Sequence, residues 1–255
     1  MKKNGRWGYP LLFVLVFLLF WEAAVRVKGT PPWLLPSPLR IVSALFEVLP
    51  LLLDHTRYTL AATLLGFVLA VTVAVALSVL MEICRPLRQG LYPLLVFSQT
   101  VPIIFVAPLF VIWFGYQLLP KVVVVALVCF FPVAVSLTDG LDNTDRALVN
   151  LLKTMGASPL TILRKARWPA ALPHFFSGLR VAATYSVLGA VIGEWVGGSR
   201  GLGVFMTRSY KSFLADRVFA AIIIVSALSI ALFGLVNVAA RLSQPWKHRK
   251  GYEGW

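Results

Sequence analysis

Acidic residues are scarce. Asp and Glu number 10 in 255 residues, and charged residues of all types make up only 13%, about half the share usual in soluble domains. A membrane-embedded hydrolase or transferase would need a paired constellation at depth. Glu194, near the end of one apolar run, has no second acid or histidine in that run. Cysteine is limited to Cys84 and Cys129, without a CxxC spacing, and His55, His174 and His248 are scattered. Neither a disulfide framework nor a metal site is indicated. No GxxxxGK[ST] segment occurs, so the chain has no phosphate cradle of the P-loop type.

What is abundant is apolar. Hydrophobic residues reach 59% and the mean hydropathy is +0.83. The solvent that suits such a chain is lipid. A hydrocarbon core of roughly 30 Å takes about 20 apolar residues per helical crossing. Backbone polar groups there must be satisfied internally, which leaves helices or a closed barrel. The long unbroken runs are not the alternating short segments of a barrel. The expectation is an all-α polytopic membrane protein with about six transmembrane helices and no second domain, repeat or low-complexity tract over 1–255.

The expected crossings lie near Trp7–Val25, Tyr58–Leu80, Leu91–Phe114, Lys121–Thr138, Gly178–Val196 and Val218–Ala240. The first run lacks a small-residue cleavage site after it and reads as a retained helix rather than a signal peptide. A Pro-rich stretch with Pro31, Pro32, Pro36 and Pro38 follows, then an amphipathic segment near Ile41–Leu53 suited to the membrane surface. The third crossing contains Pro93, Pro102 and Pro108. That reads either as packing kinks or as a bendable, pathway-lining helix.

The net charge of +14 does not indicate nucleic-acid binding, because no basic stretch is interleaved with exposed aromatics. It fits cytoplasmic loops held inside by basic residues. With the N-terminus inside, the inner segments carry Lys2, Lys3, Arg6, Arg85, Arg88, Arg146, Lys153, Arg164, Lys165, Arg167, Arg180, Arg241, Lys247, Arg249 and Lys250. These are 15 of the 24 basic residues. Both termini are therefore expected in the cytoplasm.

The connection near 142–177 is the longest polar one after the first external loop. Thr144 can cap a helix starting near Asp145. Leu148, Leu151, Leu152 and Met155 then form one apolar stripe. Gly156 can end that helix in a left-handed conformation. Ser158 is placed to cap a second helix with Pro159 at its first position. That helix carries Arg164, Lys165 and Arg167 and is expected to stop before Pro169. Such a hairpin either packs on its own bundle or docks a soluble partner in a groove.

This hairpin resembles the cytoplasmic motif of permease subunits of binding-protein-dependent ABC importers: EAA, three residues, Gly, nine residues, Ile-x-Leu-Pro. Gly156 and Pro169 match it, and Pro169–Pro173 (PAALP) is typical of the family. Asn150-Leu151-Leu152 stands in place of the EAA triplet, and Ala166 and Trp168 in place of Ile and Leu. Gly193-Glu194-Trp195-Val196-Gly197 followed by Gly201-Leu202-Gly203 is similar to the nitrate, sulfonate and taurine branch. Leu119-Pro120-Lys121, Phe130-Phe131-Pro132 and Ala190–Trp195 are similar to permeases for the thiamine pyrimidine precursor.

The resemblance implies a type I ABC importer permease in a bacterial plasma (inner) membrane. Two permease copies, expected to be identical, would pair to form the pathway. A dimer of separate ATPase subunits would carry ATP and Mg, with no cofactor on this chain, and an external solute-binding protein would deliver the solute. Leu148, Leu151, Leu152, Met155, Gly156, Ala157, Ser158, Arg164 and Pro169 are the candidate ATPase-docking residues. Glu194, Ser98, Gln99, Thr100 and Pro102 are the candidate pathway or gating residues. The solutes implied are a pyrimidine precursor, or alternatively an alkanesulfonate, taurine, nitrate or riboflavin. A passive channel or secondary transporter would explain the helices and Glu194 but not the hairpin, and a membrane scaffold predicts no dependence on solute.

Overall fold

A computed structural model describes residues 8–244, and the described residues form helices without strands. The basic residues Lys2, Lys3, Arg6, Lys247, Arg249 and Lys250 lie outside the described residues. Among the described residues five segments are long and apolar enough to cross a membrane, and a bent helix pair, counted as one broken span, brings the number to six.

Helix α1 (Gly8–Lys28) is the least buried of the five long spans, with Val25 its one buried residue. Trp21 rests on Phe219, with ring centroids 5.7 Å apart. Helix α2 (Pro38–Glu47) is the amphipathic segment, shorter than expected: the residues from Leu49 onward belong to α3 (Leu49–Ile83). Pro50 sits in the first turn of α3, where its missing N–H costs nothing. At 35 residues, α3 is roughly 52 Å long at 1.5 Å per residue, so it projects beyond the hydrocarbon.

The expected third crossing is not a kinked helix but two helices, α4 (Arg85–Ser98) and α5 (Ile103–Phe114), bent by 103° at the break between them. Pro102 is the N-cap of α5 and cannot donate to the carbonyl a turn earlier, so the break falls there. Helix α6 (Leu118–Asp142) follows after Gly115, whose φ of +79° makes the turn.

Helix α6 is the centre of the bundle, packed between α3 and α9 (Trp168–Gly197). Small residues allow this. Gly66 of α3 lies against Val125, Gly178 of α9 against Pro132 and Ser136, and Gly193 of α9 against Lys121. Without water to drive apolar faces together, helices in lipid associate through such close packing. The core continues through Ala62, Ala70 and Ala74 of α3, Cys129 and Val133 of α6, and Ala182, Ala183 and Ala190 of α9. Ser78 donates to the Ala134 carbonyl and accepts from Thr138, closing the α3–α6 seam with polar contacts.

The last crossing, α11 (Ala215–Ser243), packs on α9 and α2. Arg40–Asp216 at 3.0 Å and Arg217–Glu47 at 3.3 Å tie α2 to α11. Arg180, counted above among the inner cations, donates from its Nε to Asn237 Oδ1 at 2.7 Å and links α9 to α11.

Packing this close sets a test. A Cβ on Gly178 would stand 2.5 Å from the Pro132 carbonyl oxygen and 2.8 Å from Ser136 Cβ, whereas one on Gly234 of α11 meets nothing within 4 Å. Overpacking costs about 1–3 kcal/mol. Gly178→Ala is expected to lower the melting temperature of the purified protein by several degrees and Gly234→Ala to leave it unchanged or slightly higher, read by thermal unfolding in one detergent.

Candidate functional site

Two constellations lie at opposite ends of the bundle. At one end is the hairpin between α6 and α9. Helix α7 spans Arg146–Thr154. Its cap is Asp145, whose carboxylate accepts from the Ala147 amide at 2.8 Å. Thr144, expected as the cap, is buried and donates to the Leu141 carbonyl, so it closes the end of α6 instead. Gly156 has φ +75°. Its N–H donates to the Lys153 carbonyl and that of Ala157 to Leu152, the paired bonds of a Schellman stop. Ser158 accepts from the Thr161 amide and opens α8 (Pro159–Ile162).

The second helix does not stop before Pro169. It widens through a π-helical turn, Leu163–Arg167, and continues directly into α9. Pro169 has no N–H to donate, and a regular helix would set its ring against the Lys165 carbonyl. The wide turn falls where that bond would be. The expected polar connection thus becomes helical throughout its second half, and the continuous helical segment that carries the fifth crossing starts at Pro159.

The stripe is free. Leu148, Leu151 and Met155 are exposed, Met155 at 73%, and Leu152 is half-buried. Val149 is the α7 side chain that turns inward, at 6% exposure. Leu160 adds a further exposed apolar group, Ala157 is half-buried and Ser158 exposed. Arg164 and Lys165 are exposed on the wide turn. Arg167 pairs with Glu82 of α3, and Arg88 of α4 with Asp142 of α6. The hairpin is thus braced by ion pairs at its root while much of its apolar stripe stays exposed. Behind it lies a cleft of about 840 Å³ lined in part by Arg85, Arg146 and Lys153.

At the other end Glu194 is 1% exposed. One carboxyl oxygen accepts from the Thr59 hydroxyl at 2.8 Å and the other from the Gly203 amide at 2.7 Å. The Thr59 hydroxyl also accepts from the Leu202 amide at 2.8 Å. His55 Nδ1 accepts from the Gly201 amide at 3.0 Å. Three consecutive amides at the start of α10 (Leu202–Lys211) are thereby held by side chains of α3 and α9. A helix start leaves such donors free, and here a carboxyl, a hydroxyl and an imidazole take them up. Gly201 has φ +123° and ψ 164°, a region essentially reserved for glycine. A Cβ there would stand 2.1 Å from the Glu194 carboxyl carbon.

The remaining candidates lie at the α4–α5 break, apart from Glu194. Ser98 donates to Leu95 and Thr100 to Phe97, each satisfied within its own turn. Gln99, Thr100 and Pro102 are exposed and Ser98 half-buried. Thr59 and His55 were not singled out as site residues from sequence; Gly201-Leu202-Gly203 was noted for its likeness to the nitrate, sulfonate and taurine branch but not as a site, and α10 falls between the expected fifth and sixth crossings. One signal was there: His55, Thr59, Ala62, Thr63 and Gly66 recur at helical spacing on one face of α3, all of them buried.

The sequence family described as "Binding-protein-dependent transport system inner membrane component" matches residues 62–243. The chain belongs to this family. That family range runs from inside α3 to the end of α11 and includes the hairpin, Glu194 and the α4–α5 break. Among relatives, the formylaminopyrimidine transport permease protein ThiX of Halalkalibacterium halodurans is 39% identical over 98% of this chain and 100% of its own length. The riboflavin transport system permease protein RibX of Chloroflexus aurantiacus is 35% identical over 94% of this chain and 90% of its own. The taurine permease TauC of Escherichia coli is 28% identical over 96% and 94%. An inward-facing structure of the MetNI methionine ABC transporter shares the fold at a TM-score of 0.62 and 19% identity, over 75% of this chain and 97% of that one. The chain is accordingly a membrane-spanning permease subunit of an ABC importer with the type I fold.

The glycine-rich lock is testable. Glu194→Ala leaves the Gly203 amide without its partner, at about 1–3 kcal/mol for a buried unsatisfied group. Faster hydrogen exchange at Leu202 and Gly203, with Leu141 unchanged, is the expected outcome. Gly201→Ala should do the same or more, because strain and the clash add.

Proposed function

We propose that this chain is the channel-forming permease of an ATP-driven importer for a thiamine pyrimidine precursor of the formylaminopyrimidine type. It acts as one permease domain in a bacterial inner membrane, with both termini in the cytoplasm. Two identical chains form the pathway. A separate ATPase dimer, carrying ATP and Mg, docks on the hairpin, and an external solute-binding protein delivers solute at the opposite end. The solute moves by alternating access.

The observation that carries the importer mechanism is the unpacked apolar tip on a braced root. Leu148, Leu151 and Met155 are exposed beyond the end of the apolar spans, on the connection with the denser share of basic residues. An amphipathic helix offered this way suits a groove in a soluble partner. Closure of the ATPase dimer would push α7, and the push passes through the wide turn into α9 and through Arg167–Glu82 into α3. A passive channel gives that tip no task.

The pathway candidates gain a reason. Irregular backbone at membrane depth is tolerated where it is buried in protein or lines a cavity. The Ser98–Pro102 break is exposed in the single chain and lies roughly nine residues, or about 13 Å of helix, before Val111, which packs against Gly197. It is placed to line a pathway between two copies. Glu194 acts one step away, as the group that locks the outer loop. The pyrimidine assignment rests on the near full-length similarity to ThiX, and riboflavin is the second reading because RibX is also similar.

The test is ATP hydrolysis in liposomes by this chain coexpressed with its neighbouring ATPase and binding protein. Formylaminopyrimidine with the binding protein should raise the rate and riboflavin should not. The reverse result would give the solute to the second reading. No ATPase copurifying and no solute dependence would sink the importer mechanism.

Gly156 refines that test. Nothing lies within 4 Å of a Cβ there, so a substitution is penalised by its positive φ rather than by a clash within the chain. Asn tolerates that region and Val does not. Gly156→Asn is expected to retain ATPase copurification and Gly156→Val to lose most of it, with both variants still inserted in the membrane. Gly156→Asp, which adds a charge beside the apolar tip, should abolish both copurification and stimulation.

A further inference from the structure

Helix α7 has two faces. Leu148, Leu151 and Met155 belong to the exposed apolar one. Arg146, Val149, Asn150 and Lys153 recur at i, i+3, i+4 and i+7, which is a single face of a helix. All four line the cleft of about 840 Å³ between the hairpin and the ends of α3 and α6. A volume of that size lies in the range of small-molecule sites, about 300–1,000 Å³.

The cleft is basic. Its acids, Glu82 and Asp142, are already held by Arg167 and Arg88. Arg85, Arg146 and Lys153 line it as well and have no acidic partner among the described residues. Arg146 stands in the first turn of α7, where the helix dipole disfavours a cation. Like charges on the wall of one concavity repel each other, and the cleft offers no free carboxylate to offset them. Docking of the apolar stripe gives these cations no task, because they lie on the other face of the same helix.

We infer that this cleft binds a phosphate-bearing anion, which bridges Arg85 at the start of α4 to Arg146 and Lys153 of α7. Guanidinium groups take phosphate oxygens in pairs, and an ammonium adds a point charge. The surroundings favour the headgroup of an anionic phospholipid as the source. Leu80 and Ile83, a helical turn apart near the end of α3, are exposed, and Ile83 lines the cleft. Acyl chains can lie against that apolar flank while the headgroup meets the cations, and basic pockets between helix ends suit acidic headgroups. A free phosphate ion would offset the charge and leave the flank uncovered. Bound phosphate ties α7 to α4 and steadies the helix whose opposite face carries the apolar stripe. The inference rests on the chain spanning a membrane and on neither the solute nor the ATPase.

The test reads amide hydrogen exchange across α7 in the full chain, in phosphatidylcholine nanodiscs with and without phosphatidylglycerol. Phosphatidylcholine is the neutral reference, because its ammonium offsets its phosphate. A ligand slows exchange of the segment it holds in proportion to 1 + [L]/Kd, so phosphatidylglycerol should slow α7 at least about fivefold. Arg146→Gln with Lys153→Gln should remove most of that slowing, and Arg146→Lys should keep most of it. Lys165→Gln with Arg241→Gln removes two exposed cations at the same end but outside the cleft, and should leave the slowing intact. Should the double cleft variant loosen α7 in neutral discs as well, Arg85→Gln, which lies outside α7, carries the test with the same expected loss. Phosphatidylcholine discs with added inorganic phosphate form a further arm. Equal slowing there would uphold the phosphate site and assign it to a soluble phosphate instead of a lipid.

No slowing from either source would overturn the inference. So would an equal loss in the Lys165 and Arg241 variant, because net charge and not the cleft would then be responsible. The complex with the ATPase should still retain phosphatidylglycerol in native mass spectrometry. Lipid held by the chain alone and excluded from the complex would also overturn the inference, because the ATPase would then fill the cleft. Failure of any ATPase to copurify bears on the importer mechanism and leaves this inference standing.

Discussion

The close approach of α6 to its two neighbours is the contact on which the remaining geometry depends. In lipid no expulsion of water holds helices together, so backbones must come near enough for dispersion and short polar contacts to do so. Gly66, Gly178, Gly189 and Gly193 supply that proximity, each at a point where a side chain of α6 or its backbone fills the space a Cβ would need. With α3 and α9 fixed on α6, both run the length of the bundle in register, and each end of the molecule inherits their relative position.

That register places the two constellations. At the hairpin end, the wide turn before α9 meets Glu82 of α3 through Arg167. At the far end, Glu194 of α9 meets Thr59 of α3. The same helix pair is therefore cross-linked by a polar contact at each end, with small apolar residues between. The α4–α5 unit is different: α4 has no buried residue, and the break leaves its polar groups turned to the open side of the bundle.

Much of this was legible in the sequence. The apolar runs located the crossings, and the Gly156, Ser158 and Pro159 turn formed as read because cap and turn chemistry is local. The failures share a physical cause. Thr144 and Asp145 are both competent caps, and which one serves depends on how α6 ends. Pro169 signals a helix stop in isolation, yet a π-helical turn absorbs its missing donor, and packing of α9 on α6 makes continuing worthwhile. The prolines of the third crossing predict a bend without its size. Helix α10 is too short and too rich in glycine at its start to show a span-like pattern.

The sequence by itself determined the solvent, the number of crossings, the hairpin and the family, because apolar run length and local capping depend on neighbours a few residues apart. The tertiary structure alone decided that Glu194 faces inward to hold a loop, that Thr59 and His55 share its work from 135 residues or more away, and that the hairpin's apolar stripe stays uncovered. Those outcomes depend on which faces of α3, α6 and α9 meet, and no local pattern encodes the rotation of one helix against another.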